Sequence, residues 1–200
     1  MTAVAMSAEE LRELLMREVS VAAENGPQQS VISGRVKVIE EMEREFDLRG
    51  VNYKRLDTAY AFHSEMMDPM LEEYAEIVRQ VELRAPEIPY LSNVSGEWVS
   101  GEQVKDSGYW LQQARQTVRF QKGLEELVKL EDVLLVELGA GEVLTRIVRS
   151  QWRDAEVIAG LGAVAESDGE VLGRLWLRGV EVKWKAAYEG EQRQRVVRGK

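Results

Sequence analysis

Two hundred residues with a 44% apolar share are enough for one ordinary domain, or one and a half, built around a real core. The 26 basic and 35 acidic side chains leave a formal charge of −9, which disfavours nucleic acid and anionic lipid as partners. Cysteine is absent, which excludes disulfides, thiolate metal sites and a cysteine nucleophile and suits the cytosol; no apolar run approaches the roughly 18 residues that span a bilayer, and no signal-peptide pattern opens the chain.

In chain order, residues 2–6 read as a short strand, and Ser7 followed by Glu10 forms a capping-box start for a helix that places Leu11, Leu14 and Leu15 on one face. Val19 to Ala23 is a second strand ending at the turn signal Glu24-Asn25-Gly26-Pro27, and Ser30 to Ser33 a third, closed by Gly34. Val36, Ile39, Met42 and Phe46 recur at helical spacing until Gly50, and Val51 to Leu56 is the last strand of this group. The order β-α-β-β-α-β is that of a ferredoxin-like unit, with its helices on one face of an antiparallel sheet. RNA-binding proteins share that order, but the strands here lack the aromatic residues that stack on bases.

Beyond it, Met67 to Val81 carries a helical apolar face that Pro86 and Pro89 interrupt, and Ile88 to Val94 reads as a strand followed by a Ser95-Gly96 turn and a polar connection to Gly108. Phe120 to Leu130 is amphipathic and helical. Val133 to Leu138 is a continuous apolar run of the kind that forms a strand buried on both faces. Gly139-Ala140-Gly141 then leads into a helix from Glu142 to about Gln151; a glycine turn of this length reads as a tight turn rather than a nucleotide site. A short strand over Val157 to Leu161, a closing helix over Gly169 to Arg178 and a linker from Glu181 complete the pattern.

His63 is the sole histidine, placed between two aromatic residues, a hydroxyl and a carboxylate in Thr58-Ala59-Tyr60-Ala61-Phe62-His63-Ser64-Glu65. An imidazole titrating near neutral pH suits proton transfer, and a half-buried ring that only packs and bonds a carbonyl fits the same surroundings. Ser64, its neighbour, is poorly placed as a nucleophile, since adjacent side chains on an extended chain point to opposite faces; packing or capping suits it better. Glu65 and Asp68 read as first-turn charges, with no metal partner near.

Several blocks together go further. Tyr60-Ala61-Phe62-His63-Ser64 with Met66-Met67 and Pro69 resembles the segment around the general base in acyltransferase domains of modular polyketide synthases. Asn25-Gly26-Pro27, Ile88-Pro89-Tyr90-Leu91-Ser92-Asn93-Val94-Ser95-Gly96, Tyr109-Trp110, Gln116-Thr117-Val118-Arg119-Phe120, Val136-Glu137-Leu138-Gly139-Ala140-Gly141 and Leu175-Trp176-Leu177-Arg178-Gly179 resemble further family motifs in the expected order, with Ala140 where Pro is usual.

The resemblance implies an α/β chain: a ferredoxin-like small subdomain over residues 1–57, the C-terminal part of an α/β-hydrolase-like acyltransferase core over 58–165, and a closing helix with linker over 166–200. It implies transfer of a malonyl or methylmalonyl group from coenzyme A to the phosphopantetheine arm of an acyl carrier protein through an acyl-serine, with no bound cofactor. His63 would be the base, oriented by a carbonyl near Gln113. Tyr60 and Phe62 would bear on the extender unit: His-Ala-Phe-His accompanies malonyl in this family and Tyr-Ala-Ser-His methylmalonyl, and the bulk of Phe62 favours malonyl.

The family's Gly-His-Ser-x-Gly nucleophile elbow does not occur in these 200 residues, nor does the family's upstream malonyl-binding arginine. The resemblance thus covers nearly the whole chain and about the C-terminal two-thirds of a complete domain. Catalysis is expected only with an upstream half that supplies the serine; the alternative is an inactive fragment or a module that contacts a carrier protein or synthase.

Overall fold

A four-stranded sheet covered by the helices of its own crossovers occupies the first quarter of the protein. The computed structural model describes residues 1–139, 141–159, 168–187 and 189. They divide into two compact units, Met1–Val133 with Ser150–Arg153, and Leu134–Arg149 with Asp154–Lys200.

The first unit begins β1 (Thr2–Val4), α1 (Ala8–Leu14), β2 (Val19–Gly26), β3 (Gln29–Gly34), α2 (Val36–Arg49) and β4 (Tyr53–Arg55). The sheet runs in the order β2-β3-β1-β4 and every pairing is antiparallel. α1 starts where Ser7 and Glu10 close a reciprocal capping box, satisfying two amides that a helix start otherwise leaves unpaired. α2 ends at Gly50, whose φ of 66° lets its amide and that of Val51 turn back onto the last carbonyls of the helix.

Most of the apolar positions read from sequence become one core, while Val36 at the start of the expected α2 face is 63% exposed. Val4, Leu11, Val19, Val21, Ile32, Ile39, Met42 and Phe46 pack together, each large side chain contributing about 1.5–3 kcal/mol of transfer energy. At its edge Arg55 grips the Glu43 carboxylate through Nε and a terminal nitrogen at 2.7 and 2.6 Å, and Thr2 Oγ1 donates to the same carboxylate at 2.6 Å. β1, β4 and α2 are thereby joined, and the Arg55 bonds, ahead of all other causes, hold the Glu43 carboxyl below its ordinary range.

The same unit continues through a 3-10 helix (Glu65–Met70), α3 (Leu71–Arg79), α4 (Gly101–Lys105), α5 (Ser107–Arg115) and α6 (Phe120–Val128). Three sequence expectations change here. Met67 to Val81 is two elements, because Pro69 falls inside the tighter 3-10 turn before the α-helix starts. Ile88 to Val94 forms no strand; its pairing is a single bridge between Leu91 and Trp98. The Ser92 hydroxyl accepts from the amides of Val94 and Ser95 at 3.1 and 3.4 Å and bends the run into a turn before it can extend. The polar connection to Gly108 is instead two helices, capped by Ser100 on the Gln103 amide and by Asp106 on the Gly108 amide.

β2 also runs past the expected turn to Gly26, with irregularities between Val21 and Ala23 and between Glu24 and Gly26.

The second unit contains β5 (Leu134–Val136), α7 (Val143–Gln151, its last turn in the first unit), β6 (Glu156–Ile158), α8 (Asp168–Leu177) and α9 (Trp184–Ala187). β5 and β6 pair in parallel, as a strand-helix-strand crossover requires. The expected doubly buried strand over Val133 to Leu138 is shorter and half-buried: β6 alone pairs with β5 among the described residues, and Leu138 is 77% exposed. The expected linker from Glu181 contains α9. Ala140 of the glycine turn, residues 160 and 161 of the expected last strand and the end of the linker from 190 lie outside the described residues.

Candidate active site

His63 sits in the loop after β4 with φ of 56°. The left-handed region costs a residue with a Cβ about 1–2 kcal/mol, so this backbone persists because its surroundings hold it. Its Nδ1 lies 2.9 Å from the Gln116 carbonyl oxygen. A carbonyl can only accept, so Nδ1 carries the proton and Nε2 keeps its lone pair, the tautomer that a base needs. Gln116 O is thus a backbone acceptor of the ring, and the Gln113 backbone, where the resemblance put the acceptor, also bonds it; both favour the charged ring. Burial outweighs both and lowers the imidazole pKa from its ordinary 6.5, keeping the ring neutral at pH 7.

The carbonyl that holds the ring is itself fixed. The Gln116 amide closes the end of α5 on Gln112 O at 2.8 Å. Thr117 Oγ1 donates to Val21 O at 2.7 Å, Val118 N to Ala22 O at 2.9 Å, and Glu24 N to Val118 O at 2.8 Å. β2 therefore pins the segment that orients His63, which couples the sheet to the imidazole 53 residues away in sequence from its acceptor.

The ring opens onto a cleft of about 320 Å³ that Arg12, Leu15, Val21, Arg115 and Arg119 also line, with Glu65 at its side. Arg12 is paired with Glu24, and Arg115 with Asp68 at 2.5 Å. The sequence reading did not foresee these arginines in the site; the signal available was that Arg115 and Arg119 flank the Gln116-Thr117-Val118 block. Tyr60 and Phe62 lie against each other at a tilt of 57° with centroids 5.8 Å apart, exposed at 69% and 42%, and neither lines this cleft. Ser64, 1% exposed, is the cap of the 3-10 helix: its hydroxyl donates to Ala61 O at 2.6 Å and accepts from Met66 N at 3.2 Å. Its proton is committed away from His63.

Two other features fall outside this site. An apolar cavity of about 300 Å³ lies among Pro89, Leu91, Trp98, Phe120, Leu124 and Leu127. Beside it Tyr109 donates to Ser92 Oγ at 3.0 Å, and burial, with a contribution from Tyr109, pushes the Tyr90 phenol up to about 12. In the second unit, the start of α7 after the glycine turn is occupied by the chain's own carboxylate: Glu137 accepts from the amides of Leu144 and Thr145 at 3.0 and 2.8 Å. An internal anion thus fills the place a bound phosphate would take. Among the described residues no three His, Cys, Asp or Glu side chains gather as a metal site, and no helix is long and apolar enough to cross a membrane.

A mixed α/β chain that presents one oriented, neutral imidazole on an open cleft has the equipment of a base-assisted group transfer. The pattern that defines the acyl transferase domain spans residues 1–176, and the chain belongs to that family. Its relatives are polyketide synthases and the transacylases akin to them. It is 37% identical over 202 residues to the phenolphthiocerol synthesis polyketide synthase Pks15/1 of Mycobacterium marinum, covering 98% of this chain and 10% of that protein. The acyltransferase domain from the second module of the salinomycin polyketide synthase superposes with a TM-score of 0.84 at 32% identity, covering 100% of this chain and 48% of that one. A malonyl CoA-acyl carrier protein transacylase from Burkholderia pseudomallei superposes at 0.70 with 33% identity, covering 77% of this chain and 56% of that one. The chain therefore spans about half the length of these solved relatives.

Proposed function

We propose that this chain supplies the general-base part of an acyltransferase that loads an extender unit, malonyl in preference to methylmalonyl, from coenzyme A onto an acyl carrier protein. The observation that carries the reading is the His63 ring, proton on Nδ1 facing Gln116 O at 2.9 Å and Nε2 available to the cleft. Nε2 takes the proton of a serine hydroxyl as its oxygen attacks the thioester carbonyl; the tetrahedral intermediate collapses and the departing coenzyme A thiolate receives that proton. In the second half, Nε2 deprotonates the phosphopantetheine thiol, whose sulfur attacks the acyl-serine, and the serine oxygen leaves with the proton.

The chain contains no Gly-His-Ser-x-Gly string, so the serine and the oxyanion donors come from another stretch of polypeptide, the upstream half of an acyltransferase. The chain alone is then inactive. We read residues 1–57 as the ferredoxin-like small subdomain, a reading supported by the all-antiparallel order β2-β3-β1-β4. Residues 58–165 form part of the hydrolase-like core, and 166–200 the closing helix and linker. The absence of cysteine fits a cytoplasmic setting, and no bound cofactor is required.

The test is complementation. Co-expression with an upstream half bearing the serine elbow should give acyl loading of a carrier protein, and His63→Ala should lower it by about 10²–10⁴-fold. Loading by the 200 residues alone, or undiminished loading by His63→Ala, refutes the assignment. Carrier-protein binding without loading under any complementation identifies a non-catalytic module.

A further inference from the structure

We infer that Ser64 is a positioning residue for His63, its hydroxyl closing the turn that holds the imidazole-bearing backbone in the left-handed region. Residues 61–64 form a tight turn in which His63 occupies the third position, with φ of 56°. Turns with positive φ at that position ordinarily carry Gly or Asn there. A histidine needs a restraint, and the Ser64 hydroxyl supplies it by donating to Ala61 O at 2.6 Å, bridging the turn from its fourth residue to its first.

The same oxygen accepts from Met66 N at 3.2 Å, and Met67 N donates to Ser64 O at 3.0 Å. One hydroxyl thus links the turn before the base to the 3-10 helix after it. Ser64 is 1% exposed, whereas its neighbour Phe62 is 42% exposed, so the interior side of this loop is built around the serine. The backbone fixed by Ser64 and the ring fixed by Gln116 O, 2.9 Å from Nδ1, together set the direction of Nε2. Removing the hydroxyl frees the backbone and pulls the ring off its carbonyl.

This inference rests on reading His63 as the base for its functional meaning, while its structural content is testable without any activity. Because the protein has one histidine, a single imidazole Hε1 resonance reports the ring by NMR titration of the full chain. The charged groups facing it are Arg12, Arg115, Arg119 and Glu65; none changes in the variants, so a displaced midpoint reports a displaced ring. Ser64→Ala should raise the midpoint toward the ordinary 6.5, as burial is relieved, and abolish the protected Nδ1–H signal. Ser92→Ala is the control: Ser92 is equally buried at 1%, caps a turn at Val94 and does not line the His63 cleft, so its removal should leave the imidazole titration in place. Should Ser64→Ala fail to fold, Ser64→Gly, tolerated at a cap, carries the same expectation.

A Ser64 variant whose titration superimposes on wild type overturns the inference, as does an equal shift in Ser92→Ala. In the complemented enzyme, Ser64→Ala should lower kcat and move the acid limb of the pH profile with KM unchanged. A moved imidazole together with no acyl transfer by any complemented wild type would sustain the role of Ser64 and remove the base assignment.

Discussion

Replacing Phe46 by Ala removes the largest fully buried side chain of the first unit, and its cost can be worked from the surroundings. Phe46 is 0% exposed on the face of α2 that also buries Ile39 and Met42, and its ring lies 5.9 Å from that of Tyr53 at a tilted angle. Truncations of this kind cost about 3–5 kcal/mol, transfer energy plus the cavity left behind. The lost pairing with Tyr53, worth about 0.5–1.5 kcal/mol, and complete burial argue for the upper half of that range. Against a typical total of about 5–15 kcal/mol, the variant forfeits about a quarter or more of the stability. Urea denaturation followed by circular dichroism should show the midpoint falling by about 2–2.5 M at an unchanged slope near 2 kcal/mol/M. Leu48→Ala, on the same helix but 83% exposed, should stay within about 0.5 kcal/mol. A Phe46→Ala loss below about 1 kcal/mol would show that α2 does not pack on this sheet as described.

Gly50→Ala should cost about 1–2 kcal/mol from the φ of 66° alone, because a Cβ there meets nothing within 4 Å; an unchanged urea midpoint would contradict the left-handed cap. Glu137 has its carboxyl pKa lowered from 4.5: burial opposes the shift, and the bonds from Thr145, Leu144 and Val143 overcome it. Its contribution is therefore present above the unfolded value and lost as pH falls through the folded one. Amide-exchange protection at the start of α7 should accordingly fall on acidification in wild type and vary less in Glu137→Gln, and parallel pH profiles would refute the cap. Phe62→Ser, in the complemented enzyme, should shift a malonyl against methylmalonyl competition toward methylmalonyl by about 10–200-fold. An unchanged ratio would place selection elsewhere, consistent with the absence of Phe62 from the cleft lining.

The sequence by itself determined the elements whose signals are local. Ser7 and Glu10 cap α1, Gly50 ends α2, and the spacing of Ile39, Met42 and Phe46 names the face that becomes core; each signal acts within a few residues of its cause. It also isolated His63 as the one imidazole and, through motif resemblance, the family that the residues 1–176 match bears out. It misread Ile88 to Val94, where apolar composition suggested a strand but the Ser92 hydroxyl bends the chain. The tertiary structure alone decided that the Gln116 carbonyl faces Nδ1 across 53 residues, that β2 pins the Gln116 segment, and that three arginines share the cleft. Such convergences follow from how packed elements meet in space, which no periodicity or cap encodes.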